Sequence, residues 1–338
     1  MSSAIGKTFR RSRAGWRPPP ALLVVAALLL PAVRGAQADS SGDGLVKLTL
    51  SYSEKTVDML PLMIASDAGY FRKNGLDVTL QYLPAQQGVP ALLTDQVQIA
   101  AIGGSDALSA QAQGAKLKFV LTLSPVYTFE FWALPQHATA AGLKGQHVGV
   151  TSMTGSLYSG TLLALKELGL SPSDVVLAPL GSAINVNNAL MAGSIVAGCS
   201  HPPATYQFKQ NGFVKLVDLP QKRIPSVNAG ILATASYIQS NPKLVHGVVD
   251  AVLQGLGREA GDKAYAESEI SKHFRITDQA ELDYTYDFYA HDVLAPGPQP
   301  TIAQLQSNQK ALSATNPKVN AVDVAAMIDP SFLKQAQR

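Results

Sequence analysis

The stretch richest in usable chemistry is Thr151-Ser152-Met153-Thr154-Gly155-Ser156. It sets a glycine among hydroxyls, so backbone can approach a bound group closely while side chains donate to it. It lies between a β-rich run at 146–150 and a segment of helical spacing at 155–168. A helix start there presents unpaired N–H groups and about half a positive charge, which suits an anion. The same residue types also serve as ordinary helix caps. Gly103-Gly104-Ser105-Asp106 is a second such turn. Asp106 either caps its own helix or faces the ligand, where it repels an anion and holds an amine. With the residues near other predicted strand ends, the candidate ligand contacts are Tyr52, Thr56, Gly104, Ser105, Asp106, Tyr127, Ser152, Thr154, Gly155, Ser156 and His201.

Tyr127, Phe129 and Phe131 share one face of an extended segment. Phe129 and Phe131 are expected in the core and Tyr127 at the junction of two units. None of the four predicted strand-end loops carries an arginine, so no guanidinium clamp awaits a strongly charged ligand. The aromatic supply favours a planar or apolar body. Together these features lead to a small organic anion, a sulfonate or carboxylate, as the expected ligand.

Cys199 and His201 offer a second chemistry, a thiol–imidazole nucleophile, but no third orienting group is evident. A small buried residue ending a strand is the plainer account of Cys199. A single cysteine excludes an internal disulfide and a multi-cysteine metal site. No HExxH, phosphate loop, EF-hand loop or hydrolase elbow occurs. The expectation is therefore binding without catalysis, with neither metal nor cofactor. The alternative is a Cys199/His201-dependent lyase, desulfinase or pyrimidine-forming enzyme.

The elements that would position these residues alternate. Strands are predicted at 45–52, 76–83, 98–102 and 117–123, with helices at 60–74, 87–94 and 106–113. Strands at 146–150, 175–178 and 194–199, with helices at 155–168 and 183–191, then repeat the pattern. Such alternation indicates parallel sheet covered on both faces. Gly75-Leu76-Asp77-Val78, Ala91-Leu92 and Gln98-Ile99-Ala100 find collinear partners in Gly169-Leu170, Asp174-Val175, Ala189-Leu190 and Ser194-Ile195-Val196. Two lobes of like topology follow. Extended segments at 127–134 and 227–234 would carry the chain into and out of the second lobe and act as its hinge. Beyond 236 the pattern is mostly helical, with Asn241-Pro242 and Asp278 as helix starts, and should pack on the first lobe.

The chain has 338 residues, 46% of them hydrophobic, enough to bury a core. Its net charge of +3 is misleading. Lys7, Arg10, Arg11, Arg13, Arg17 and Arg34 precede residue 39 with no acid among them, and removing these six leaves 21 basic against 24 acidic side chains. That body has no electrostatic footprint for nucleic acid. The basic stretch, the apolar run at 21–30 and Ala36-Gln37-Ala38 have the layout of a cleaved secretory leader spanning 1–38. The apolar run is short for a bilayer span. No cysteine stands at the cleavage point, so a soluble, periplasmic product without a lipid anchor is expected.

Pro61-Leu62-Met63-Ile64-Ala65, Gly69-Tyr70-Phe71 and Gly75-Leu76-Asp77-Val78 resemble the opening of nitrate/taurine-type periplasmic substrate-binding proteins. Leu143-Lys144-Gly145-Gln146-His147-Val148-Gly149-Val150, then Gly155-Ser156 and Ala189-Leu190-Met191-Ala192-Gly193, resemble the second half of the same family in order. The resemblance implies a type II periplasmic-binding-protein fold, two α/β lobes joined by a two-strand hinge. It would divide into 45–130 as the first part of lobe I, 131–228 as lobe II and 229–338 as the return to lobe I. It further implies a monomeric carrier that closes on a small-molecule solute and docks on an inner-membrane ABC transporter permease. The family's ligands are diverse, so membership does not name one.

Overall fold

The computed structural model describes residues 44–294 and 297–336. The predicted leader lies outside them, as does part of the Pro/Gly break at 295–300. The strands are β1 (Val46–Tyr52), β2 (Leu76–Tyr82), β3 (Ile99–Ile102), β4 (Leu117–Val126), β5 (Glu130–Ala133), β6 (His147–Val150), β7 (Val176–Pro179), β8 (Ala197–Ser200), β9 (Val214–Asp218) and β10 (Pro225–Thr234). They form two five-stranded sheets, ordered β2-β1-β3-β10-β4 and β7-β6-β8-β5-β9.

The two orders are equivalent. In each sheet a parallel triplet, β2-β1-β3 or β7-β6-β8, continues into two further strands. The sheets are mixed, which corrects the expectation of purely parallel sheet. β10 runs antiparallel to β3 and β4, and β5 antiparallel to β8 and β9. Each of these central strands is a crossover arriving from the opposite lobe, so it enters against the βαβ direction. The two crossings run side by side: Tyr127 N–H donates to the Ile224 carbonyl at 3.2 Å, and Leu219 N–H to the Phe129 carbonyl at 3.1 Å.

Local chemistry sets the element bounds. The helix expected at 60–74 is two, Leu60–Asp67 and Tyr70–Lys73. Gly69 between them adopts φ 70°, a left-handed conformation that breaks the helical run. The helix expected at 106–113 starts earlier, at Gly104–Gln111, with Gly103 as its N-cap. Asp106 is therefore in the first turn and not at the cap. The Ala204–Gln210 helix and β9 carried no clear sequence signal. Asn241 stands at the N-cap of the Pro242–Gly261 helix as expected, but its side-chain amide donates back to the Tyr237 carbonyl and makes no cap bond.

The helical C-terminal part packs on the first lobe, but also on the second. Val245, Val248, Val249 and Val252 are fully buried with Leu50, Leu62 and Ile231 of the first lobe. Tyr284 meets Tyr206 of the second lobe with ring centroids 5.6 Å apart, and Gln207 donates to Glu281 at 3.1 Å. Among the described residues no helix is long and apolar enough to cross a membrane.

Gly255 sets the approach of the Pro242–Gly261 helix to the first one. A Cβ at Gly255 would collide with the Pro61 carbonyl oxygen, which is rigid backbone. Alanine gains about 1 kcal/mol of helix propensity over glycine. Overpacking against backbone costs about 1–3 kcal/mol, so the collision wins. Gly255→Ala should destabilise the protein by about 1–2 kcal/mol in urea titration. A stabilised variant would mean the helices do not meet at this point.

Candidate functional site

The carboxyl ends of β1, β3, β6, β7 and β8 converge, as open α/β sheets require for ligand binding. Two small adjoining chambers lie there. They share Ser53, Glu54 and Asp106. The inner chamber adds Asp58, Phe129, His201 and Asn228; the outer adds Tyr82, Thr151 and Ser152.

Lobe contact across this cleft is direct. Ser156 Oγ donates to the Asn228 carbonyl at 2.9 Å, Ser105 and Ser159 hydroxyls are 2.8 Å apart, and Thr154 Oγ1 donates to Asp106 Oδ1 at 3.3 Å. Thr154 is the N-cap of the Gly155–Glu167 helix, yet its hydroxyl caps nothing. It turns to Asp106. Gly155 has φ 86°, and a Cβ there would lie 3.0 Å from Asp106 Oδ2. The hydroxyl turn, whose sequence suits a ligand anion, is thus occupied by the protein's own carboxylate.

Behind the inner chamber lies a buried polar cluster. Asp58 accepts from Ser124 through Oδ1, from Tyr289 through Oδ2 at 3.2 Å and from Thr56 at 3.3 Å. Asn228 Nδ2 donates to Thr128 at 2.8 Å and to Asp58 Oδ1 at 3.3 Å. Tyr289 also lies 3.0 Å from His201 Nδ1. The cluster spans both lobes and the C-terminal part.

Of the predicted contacts, Thr56, Asp106, Ser156 and His201 line the inner chamber, and Asp106 and Ser152 the outer. Thr154 and Gly155 touch Asp106. Four residues are placed elsewhere. Tyr52 packs on Tyr82, centroids 5.7 Å apart, and Tyr82 is the one in the lining. Gly104 faces Asn308 of the Ile302–Leu312 helix. Ser105 is sealed against Ser159. Tyr127 is fully buried, its hydroxyl accepting from Asn308 Nδ2 at 2.9 Å. Tyr127 lies between β4 and β5 and not on a strand, and it is covered by a helix more than 170 residues away in sequence.

Sequence reasoning missed Glu54, Asp58, Asn228 and Tyr82. Glu54 stood in a strand-end loop already singled out, and its charge was a legible signal. Asn228 sits mid-strand and gave none. Phe129, assigned to the core, belongs to it and also lines the inner chamber.

Burial pushes the Glu54 carboxyl up to about 8, with Asp106 and Asp58 adding like charge. Burial likewise raises Asp106 to about 6, against the Thr154 hydrogen bond. Glu259, buried behind Asp58 with Oε2 unpartnered, rises to about 8. The folded chain therefore keeps protons that the unfolded chain gives up near about pH 4. That stabilising contribution is complete below the unfolded values and is lost as pH rises through 6 to 8. Asp67 and Asp283, held low chiefly by lysine partners, act only on the acid side of this window. Urea titrations should show stability falling between about pH 5 and about pH 8.5. A rise over that interval would contradict the acidic interior.

Cys199 is buried in lobe II, not in the cleft, and burial pushes its thiol up to about 12. Away from the cleft, Asp67, Glu269 and His273 bring ligand atoms within 4.8 Å of one another. The Lys272 ammonium sits 2.6 Å from Asp67 Oδ2, neutralising that cluster from within.

A family model described as NMT1/THI5 like matches residues 56–261, more than half of the chain. The riboflavin-binding protein RibY of Chloroflexus aurantiacus is 27% identical over 217 residues, covering 62% of this chain and 61% of that protein. The chain thus matches less than two thirds of that relative's length. A solved structure from Bordetella bronchiseptica RB50 superposes with TM-score 0.74 at 21% identity, covering 86% of this chain and 96% of the other. The alkanesulfonate-binding protein SsuA of Xanthomonas axonopodis pv. citri, bound to MOPS, gives TM-score 0.67 at 20% identity, covering 84% and 98%. At these identities the two structures establish the fold alone.

Proposed function

Because this chain belongs to the NMT1/THI5-like family, we propose that it is the exported solute-binding component of an ABC-type importer. It acts as a periplasmic monomer, holds one small molecule between its lobes and presents the closed form to a membrane permease. The observation that carries this reading is the cleft, where strand ends of two equivalent sheets meet across direct hydrogen bonds. A ligand stabilises the closed arrangement only by its preference for it over the open one. The crossings at 127–129 and 219–224 act as the hinge, because among the described residues the strands change sheet only there. Importer energy comes from the partner.

The carboxylates of Glu54, Asp58 and Asp106 repel the sulfonate or carboxylate that the hydroxyl turn alone predicts. Riboflavin, which the relative RibY is named for binding, is a neutral probe worth including. Purified protein should show a ligand-dependent rise in Tm of several degrees with one ligand class. Native mass spectrometry should show one ligand per chain. Turnover of the bound ligand, or no binding to any solute, would defeat the proposal.

Burial weighs against the enzyme alternative: Cys199 is sealed in lobe II, which pushes its thiol up to about 12 and disfavours the thiolate a nucleophile needs. We expect Cys199 to react with a thiol reagent only after unfolding, and Cys199→Ser to leave ligand binding unchanged. Rapid labelling of the native protein would place the thiol in the cleft.

A further inference from the structure

Resting on the reading of the cleft as the ligand site, we propose that the solute is a small organic cation. Its charged nitrogen sits between Glu54, Asp106 and the Asn228 side-chain carbonyl, and its apolar body lies on Phe129 and Met59. The argument begins with Asn228. Its amide nitrogen is committed to Thr128 and to the Asp58 carboxylate, which fixes the orientation, since the reverse would turn carbonyl on carboxylate. Its Oδ1 is then left buried without a donor, in a residue 7% exposed that lines the inner chamber. An unsatisfied buried acceptor costs about 1–3 kcal/mol, so the occupant of the chamber must bring the donor.

Glu54 adds a half-buried acceptor. No hydrogen-bond donor or ion-pair partner reaches it among the described residues, and neither chamber has a lysine or arginine in its lining. Asp58 already has its donors, so Glu54 and Asp106 are the carboxylates with capacity to spare. The electropositive helix start of lobe II does not attract a ligand anion, because Asp106 lies against it. An anion would have to displace Asp106 and then face Glu54. A cation meets acceptors on the lobe I wall, and the Phe129 ring adds a face for cation–π attraction.

The charge logic has a pH signature. Groups facing Glu54 are Asp58, Asp106 and Tyr82 from neighbouring elements, His201 across the chamber, and Tyr289 with Glu259 behind it. Lys55 directs its ammonium to the Tyr82 ring, 4.6 Å from the centroid. As Glu54 and Asp106 deprotonate with rising pH, cation affinity should rise and protons should be released on binding.

The test is calorimetry and thermal shift on the full chain with putrescine, agmatine and phenethylamine as cations, taurine, benzoate and nitrate as anions, and riboflavin as the neutral probe. Expected are stabilisation by a cation, none by the anions, and affinity rising at least several-fold from about pH 6 to about pH 8.5. Glu54→Gln and Asp106→Asn should each weaken the cation at least tenfold. Glu54→Gln should fold well, since it replaces a carboxyl already held towards its neutral form. Binding of an anion, or of riboflavin with affinity indifferent to Glu54→Gln, would overturn the cation and leave the solute-binding reading standing. Silence from every probe would overturn both.

Discussion

Gly103→Leu is expected to leave both lobes folded and to cost about 100-fold in ligand affinity. Gly103 has ordinary backbone angles, φ −78° and ψ 153°, so no conformational strain accompanies a side chain there. Its missing Cβ is what lets lobe I meet lobe II. A Cβ would collide with the Ser156 hydroxyl of the opposite lobe and lie 3.0 Å from the Asn228 carbonyl oxygen. Leucine wedges the cleft open at the place where Ser156–Asn228, Ser105–Ser159 and Thr154–Asp106 bridge it. Three hydrogen bonds at about 1 kcal/mol each amount to about 3 kcal/mol of closure, or about two decades of affinity. The same Cβ also presses on the Asn228 backbone within lobe I, so urea stability should fall by about 1–3 kcal/mol while both lobes stay folded. Calorimetry reads the affinity, and small-angle scattering reads the ligand-bound radius of gyration, which should be larger than in the parent. Unchanged affinity would mean that the ligand does not require closure at this contact.

Asp58→Ala should be the most destabilising single change near the site, by about 3–5 kcal/mol, since buried donors left without an acceptor cost about 1–3 kcal/mol each and its four can relax only in part. The carboxylate takes donors from Thr56, Ser124, Asn228 and Tyr289, all buried, and removing it strands them together. One effect opposes this loss. Asp58 raises both Glu54 and Glu259 by like charge, and its removal relieves them. The stranded donors outweigh that relief, because burial is the larger cause of both shifts and persists. Asp58→Asn, which keeps one acceptor oxygen and the volume, should lose less than the alanine variant. Urea titration of both variants at neutral pH decides it. A loss below about 1 kcal/mol for Asp58→Ala would show that solvent satisfies these donors and that the cluster is not sealed.

The legible part of the fold was its rhythm. Strand–helix alternation, glycine stops and collinear motifs in the two halves predicted two lobes of like topology, and the equivalent sheet orders agree. The strands singled out were present, with ends shifted by a few residues. What stayed hidden depended on contacts between distant segments. That β5 and β10 sit in mid-sheet as antiparallel crossovers follows from the chain changing lobes, which periodicity does not encode. The Tyr284–Tyr206 contact similarly ties the C-terminal helices to the second lobe across some 80 residues of chain.

The site divides in the same way. The sequence by itself determined which loops form the cleft, because strand ends and glycine-hydroxyl turns are local features. It also determined the absence of arginine from those loops. Only the tertiary structure decided the sign of the cleft. Asp106 lies on the helix start of the opposite lobe, Asn228 turns an unpartnered carbonyl inward, and Glu54 and Asp58 share a chamber with no lysine or arginine in its lining. Local sequence fixes which groups a loop carries. Whether a carboxylate meets a ligand, a helix end or another carboxylate is a matter of distances across the fold, and electrostatic energy depends on those distances.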